Sequence, residues 1–386
     1  MSFAEFRSGA WEIAGMAMSM VALGQTERTR RGLARVLSVS AALVVLAGCA
    51  LQPRTAAPIL EPEPGGLVWP APPDVPRYAL AGVLIGERDF VAPGQEEADS
   101  VRSALAWVAG LLIGEASYIE LQRPVSGMTD ARGWIYVVDA SHKAVVVFDM
   151  TEHRLHLWQL AAEGLPFLSP IMIVADGRTG FLVTDAELGE VFRLGADGRP
   201  LGRFGKNILG RPTGIARDEL TGLIYVADTD KHDIKVFDDD GVLVDVLGAR
   251  GTEPGTFNAP THLLFRGDEL YVADTLNFRV QIFDRSGDGR LTFGRLGLFV
   301  GDMTRPKGVA VGGDKRIYVV ESYYDHLLVF DRDGRLLLPI GGTGSEVGRF
   351  YLPSGVWTDD FGRVYVADMF NGRIVVLKEL TGVERI

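Results

Sequence analysis

The chain has 386 residues, of which 47% are hydrophobic and 23% charged, enough apolar content to bury a sizeable core. Its formal charge is −11, and −13 once residues 1–48, with five Arg and three Glu, are set aside. So acidic a body argues against grip on a phosphate backbone, and no nucleic-acid partner is expected. The single cysteine, Cys49, excludes a disulfide within the chain.

Residues 1–28 show no clear period, and Met16, Met18 and Met20 are alternative starts. Residues 26–35 are basic, 36–46 are small and apolar, and Leu46-Ala47-Gly48-Cys49 follows. That order is the basic region, apolar region and cleavage site of a secretory signal, expected over residues 1–48. The apolar run is too short to span a bilayer. Leu-Ala-Gly-Cys also resembles the bacterial lipobox. The resemblance implies Cys49 as a lipidated first residue, a lipid anchor in the membrane and a place in the cell envelope.

Residues 49–76 carry Pro53, Pro58, Pro62, Pro64, Pro70, Pro72, Pro73 and Pro76. Such a tract is expected to be an extended, semi-rigid tether of about 3.1 Å per residue, with a proline-rich ligand for a partner as the alternative. Residues 77–86, RYALAGVLIG, read as an outer strand. Within residues 98–115, Val101, Leu105, Val108 and Leu112 follow helical spacing behind Asp99 or Ser100 as cap, so one short inserted amphipathic helix is expected.

The rest is repetition. A Val- and Tyr-rich strand ends at Asp139, Asp185, Asp228, Asp274, Glu321 and Asp368, at steps of 46, 43, 46, 47 and 47 residues. Ten residues after each acid another apolar strand ends. Upstream, first strands begin at Val125-Ser126-Gly127, Pro170-Ile171-Met172, Pro212-Thr213-Gly214, Pro260-Thr261-His262, Pro306-Lys307-Gly308 and Pro353-Ser354-Gly355. A fourth apolar stretch closes most units. Four strands at a period in the forties specify a β-propeller blade, and six units specify six blades. The sixth unit lacks a fourth strand, so residues 77–86 are expected to complete it and close the ring without a free edge. The fold class is all-β, a six-bladed β-propeller spanning residues 77–386.

The phrases PTGIA (212–216) and PKGVA (306–310), LYVADTLNFRVQIFD and a closing glycine-spaced run, best kept in repeats three to six, resemble the NHL-repeat family, over roughly residues 77–386. The resemblance implies a six-bladed propeller. It implies no one function, because the family includes binding platforms, RNA-binding domains and a few enzymes.

Six copies of the strand-end acid argue for turn hydrogen bonding rather than catalysis, and Asp130, Asp176, Asp218, Asp268, Asp314 and Asp359 read as turn formers in the first hairpins. Function is sought where the repeats differ. Loops joining second to third strands share one face with the loops leading into first strands. That face carries His142, Lys231, His232, Asn277, Phe278, Arg279, Tyr323, Tyr324, His326, Phe370, Asn371 and Arg373. Exposed aromatics beside Arg and Asn suit recognition. Asn277, Arg279, Asn371 and Arg373 could instead brace their turns, whereas Phe278, Tyr323, Tyr324 and Phe370 have no such turn duty. The amidating lyase of the family needs several histidines around a central metal. The six positions taken as equivalent here are Gly127, Met172, Gly214, His262, Gly308 and Gly355, with one imidazole, so no cofactor or metal is expected. The reading is a membrane-tethered extracytoplasmic binding propeller that recognises an envelope protein or glycan. The alternative is a metal-dependent hydrolase or lyase with a central-channel site near His262.

Overall fold

A computed structural model describes residues 55–91, 118–177 and 180–380. These residues form six large antiparallel sheets, five of four strands and one of five, and one two-stranded hairpin. The innermost strands are Pro124–Thr129, Pro170–Ala175, Pro212–Arg217, Pro260–Arg266, Pro306–Val311 and Gly355–Thr358. Each packs on the next and the sixth packs on the first, so the sheets stand as blades around a channel. Middle strands such as Ile135–Asp139 and Ala144–Asp149 are buried throughout. Neighbouring blades cover both their faces, which is why they read as continuous apolar runs rather than alternating ones. Outer strands such as Leu243–Leu247 are mostly exposed.

The inner strands approach closely enough to dictate small residues. A Cβ on Gly214 would lie 2.7–2.9 Å from the backbone of His262 and Leu263, and one on Gly308 would lie 2.8 Å from Val356 N. Hydroxyls join the blades at this level. Ser126 Oγ donates to Ile171 O (2.7 Å), Thr184 Oγ1 to Thr213 O (2.7 Å), Thr229 Oγ1 to Pro260 O (2.8 Å), Thr275 Oγ1 to Pro306 O (2.8 Å) and Ser354 Oγ to Val125 O (2.8 Å). Each satisfies a buried carbonyl of the adjacent blade.

Closure is as expected. Tyr78–Leu84 runs antiparallel to Arg373–Glu379, with Tyr78 opposite Glu379 and Leu84 opposite Ile374. Buried Tyr78 then crosses to blade 5, its hydroxyl 3.1 Å from that of Tyr318 and accepting from Arg316. The ring is thus fastened by chain ends far apart in sequence.

Three differences from the sequence reading follow. In blade 1, Pro124 pairs with Asp139 as Pro260 pairs with Asp274, so Ser126, not Gly127, occupies the position of His262. Residues 55–76 do not stand clear as a tether. Val68–Trp69 adds a fifth strand to blade 6, Leu60 is buried, and Arg363 donates to Leu60 O at 3.0 Å. Proline is tolerated on an edge strand, and the apolar residues between the prolines hold the segment down. A small hairpin, Leu160–Ala162 with Leu165–Pro166, links blades 1 and 2. The helix expected within residues 98–115, like Cys49 and the leader, lies outside the described residues. Among those described, no helix is long and apolar enough to cross a membrane.

Candidate functional site

The acids that end the second strands are structural. Asp139 Oδ1 accepts from the N–H groups of Ser141 and His142 (2.9 and 3.0 Å), and Oδ2 from Gln122 and Arg123 (2.8 and 3.0 Å). Asp185 ties the same two segments in blade 2, and Glu321 does so in blade 5. Each acid therefore pins both loops on one face. Of the first-hairpin acids, Asp130, Asp218, Asp314 and Asp359 hold turn N–H groups. Asp176 and Asp268 instead pair with Arg193 and Arg290.

Several residues expected on the recognition face are also structural. Arg279 is 8% exposed. Its guanidinium bonds Asp274 (2.8 Å) and the carbonyls of Thr252 (2.7 Å), Glu253 and Thr256 (both 2.9 Å), while Asn277 reaches Gly251 O (2.8 Å). Arg373 and Asn371 repeat this beneath residues 344–349. Burial pushes the Asp274 and Asp368 carboxyls up, and these donors pull them back. His142 Nε2 meets Glu120 O at 2.7 Å, and His232 Nδ1 accepts from Ala259 N–H at 2.9 Å.

Phe278 has a turn duty that its sequence hides. Lys143, Gly189, His232, Phe278, Asp325 and Gly372 occupy the same place in six blades, and all have positive φ, between 50° and 68°. The left-handed residue closes every loop from second to third strand, and glycine fills it in only two. Tyr323 and Phe370 are exposed, and Tyr324 is half-buried. Tyr323 stacks edge-on against Tyr324 (4.9 Å), whereas Phe370 packs on Tyr351 (5.6 Å) beneath Arg123. Of the expected anchors, Tyr323, Tyr324 and Phe370 thus lie in two separate aromatic pairs.

A groove at blade 5 was not anticipated. Its counterpart of Arg279 and Arg373 is His326, opposite Glu321 in the ladder. Imidazole is too short to reach the incoming loop, and a groove of about 340 Å³ remains between residues 298–302 and Tyr324, His326 and Arg349. The loop braces itself instead: Arg295 Nε donates to Asp302 Oδ1 (2.8 Å), and Asp302 Oδ2 accepts from Phe299 N–H (2.9 Å). Leu298 is left 85% exposed and Phe299 78% exposed. The legible signal was the apolar run LGLFV in a loop whose counterparts are polar.

On the same face the channel opens into a cavity of about 320 Å³. His262 lies in it, only 8% exposed, and burial lowers its imidazole pKa to about 4, so the ring is neutral at ordinary pH. Arg211, Arg305 and Lys307 line the same cavity. Burial, then the nearby Arg305 and Arg211 charges, lowers the Lys307 pKa. Among the described residues, no group of three His, Cys, Asp or Glu side chains converges as metal ligands, and His262 has no carboxylate or thiol beside it in the cavity.

No family profile matches the sequence, and no curated protein matches it. Solved propellers do match in fold. An auxiliary nutrient binding protein from Bacteroides ovatus is 14% identical, with 68% of this chain and 70% of that one covered and a TM-score of 0.53. One from Bacteroides thetaiotaomicron is 12% identical, with 67% and 69% covered and a TM-score of 0.53. Virginiamycin B lyase from Staphylococcus aureus is 12% identical, with 68% and 85% covered and a TM-score of 0.50. At such identities the likeness establishes the propeller fold alone.

Proposed function

We propose that this chain is a propeller of the NHL type that binds outside the cytoplasm, held to a membrane by a lipid on Cys49, and that its loop face at blade 5 recognises an envelope protein or a glycan. The observation that carries the reading is the unbraced groove of blade 5 beneath an exposed apolar loop. Leu298, Phe299 and Val300 are 62–85% exposed on a scaffold whose matching loops in blades 4 and 6 are pinned by buried Arg, and Tyr323 adds an exposed ring. Apolar groups kept in water on a rigid frame mark an interaction surface. Two similarly folded proteins are described as nutrient binding, which is consistent with a binding role, and a lyase with the same fold shows that the fold does not impose it. The acidic body and the lipobox-like Leu46-Ala47-Gly48-Cys49 support the location.

The test is site-specific photocrosslinking in cells from Phe299 and Tyr323, with exposed Leu220 on the opposite face as control. The expected result is a discrete adduct from the first two positions only. A protease-sensitive adduct identifies a protein, and a glycosidase-sensitive one a glycan. Equal labelling from Leu220 would overturn the site. Cys49→Ser should release the protein from the membrane fraction or block its processing, and unchanged detergent-dependent fractionation would overturn the anchor.

A further inference from the structure

The channel mouth is built in two unlike halves. Blades 3, 4 and 5 bring Arg211, His262, Arg305 and Lys307, together with threonines. Blades 6, 1 and 2 bring Leu352, Met369, Val125, Ile171 and Met172. In a chain of net charge −11, no carboxylate lines this cavity among the described residues. Most arginines of the propeller are paired; among the described residues, the side chains of Arg211, Arg305 and Lys307 make no ion pair or hydrogen bond.

The fold does not require these cations. What the blades use is main chain: Arg211 N–H donates to Asp228 Oδ1 (2.9 Å) and Arg305 N–H to Glu321 Oε1 (2.6 Å), a bond that Ser169 supplies in blade 2. Three like charges held at one mouth repel one another, which costs stability unless a counter-charge arrives. The hydroxyls at this level are already committed as donors: Ser126, Thr229 and Ser354 to carbonyls of a neighbouring blade, Thr213 and Thr261 to Thr229 and Thr275, and Ser322 to Arg305 O. The donors left to face a ligand are therefore the two guanidinium groups, the ammonium and the His262 ring.

We propose that the channel mouth binds a small amphiphilic anion, its carboxylate, sulfate or phosphate head held by Arg211, Arg305 and Lys307 and its apolar body laid on Ile171, Met172 and Met369. The planar forks of two arginines suit the oxygens of such a head. A volume of about 320 Å³ is at the small end of ligand pockets, about 300–1,000 Å³, and so fits a compact molecule. The site lies in the channel rather than in the blade 5 groove and stands apart from the macromolecular reading above.

The test is calorimetric titration of the full chain with 4-tert-butylbenzoate, its uncharged amide and inorganic phosphate. The benzoate is expected to bind, the amide about tenfold more weakly or worse, and the benzoate affinity to fall with added salt and as rising pH deprotonates Lys307. Arg305→Gln with Lys307→Gln should weaken the benzoate by about tenfold or more, and Lys307→Arg should retain it. Met172→Gln with Met369→Gln should weaken the benzoate while leaving phosphate unchanged. An amide that binds as tightly as the acid, or no heat from either anion, overturns the proposal without recourse to any variant. Methionine changes that leave the benzoate unaffected overturn the apolar half. Phe299→Ser with Tyr323→Ser should leave all three titrations unaltered, so the rim reading and this one can fail separately.

Discussion

Three loops of equal length lead into blades 4, 5 and 6, from Gly248 to Pro260, Gly294 to Pro306 and Gly341 to Pro353, and they are held in two ways. Each buries one apolar anchor, Phe257, Met303 or Phe350. In blades 4 and 6 an arginine from the third strand passes beneath the loop and satisfies three of its carbonyls and a buried carboxylate. In blade 5 histidine stands in that place, the loop is tied by side chains of its own, Arg295, Asp302 and Thr304, and its apolar tip stays in water. The difference shows how a repeat fold makes a site. The period keeps the frame, and one shortened side chain opens a groove while the flanking blades remain rigid.

The largest effect is expected from breaking a brace. Arg279→Ala leaves Asp274 buried without its cation and removes one donor from each of three carbonyls, a loss of about 3–5 kcal/mol. Denaturant melts should show it, whereas His326→Ala in blade 5 should cost under about 1 kcal/mol. Equal losses would mean that the two kinds of loop are held alike.

Acid separates the channel from the rim. The His262 pKa in the fold, about 4, is below its ordinary 6.5, so the unfolded chain binds the proton more tightly. This group's contribution is whole above pH 6.5 and is lost as pH falls towards 4, at about 1.4 kcal/mol per unit. His262→Gln should flatten that part of the stability profile, and a profile parallel to the parent's would contradict the buried neutral ring. Changes in the blade 5 loop should not alter it.

Converting one loop type into the other sharpens the comparison further. Glu321→Asp with His326→Arg should place a guanidinium beneath residues 295–302 and slow their amide hydrogen exchange, with a gain of about 1 kcal/mol. It should also weaken the blade 5 crosslinks by filling the groove. Unchanged exchange would show that the loop's path, not the missing arginine, keeps it open.

The smallest effect belongs to the turn shared by all six blades. Lys143 is exposed and left-handed, so Lys143→Gly should raise stability by up to about 1 kcal/mol, and Gly189→Ala should lower it by a similar amount. Opposite signs in thermal melts are the check.

What the sequence determined by itself was everything periodic. The strand-end acids, the lead-in prolines and the buried Val-Ile-Tyr runs specify blades because each is a local pattern repeated six times. Even the closing strand was legible, since the last unit lacked a partner for Arg373–Glu379. Non-local geometry decided the rest. Whether Arg279 faces solvent or a carbonyl depends on a loop more than twenty residues upstream, so the same Asn and Arg could read as recognition or as brace. The prolines of residues 55–76 signalled an extended chain but not that Leu60 and Trp69 would find blade 6. The left-handed place of Phe278 emerges only when six turns are superposed. Arg211 lies two units of the repeat before Arg305 and Lys307, and only closing the ring brings the three charges to one mouth.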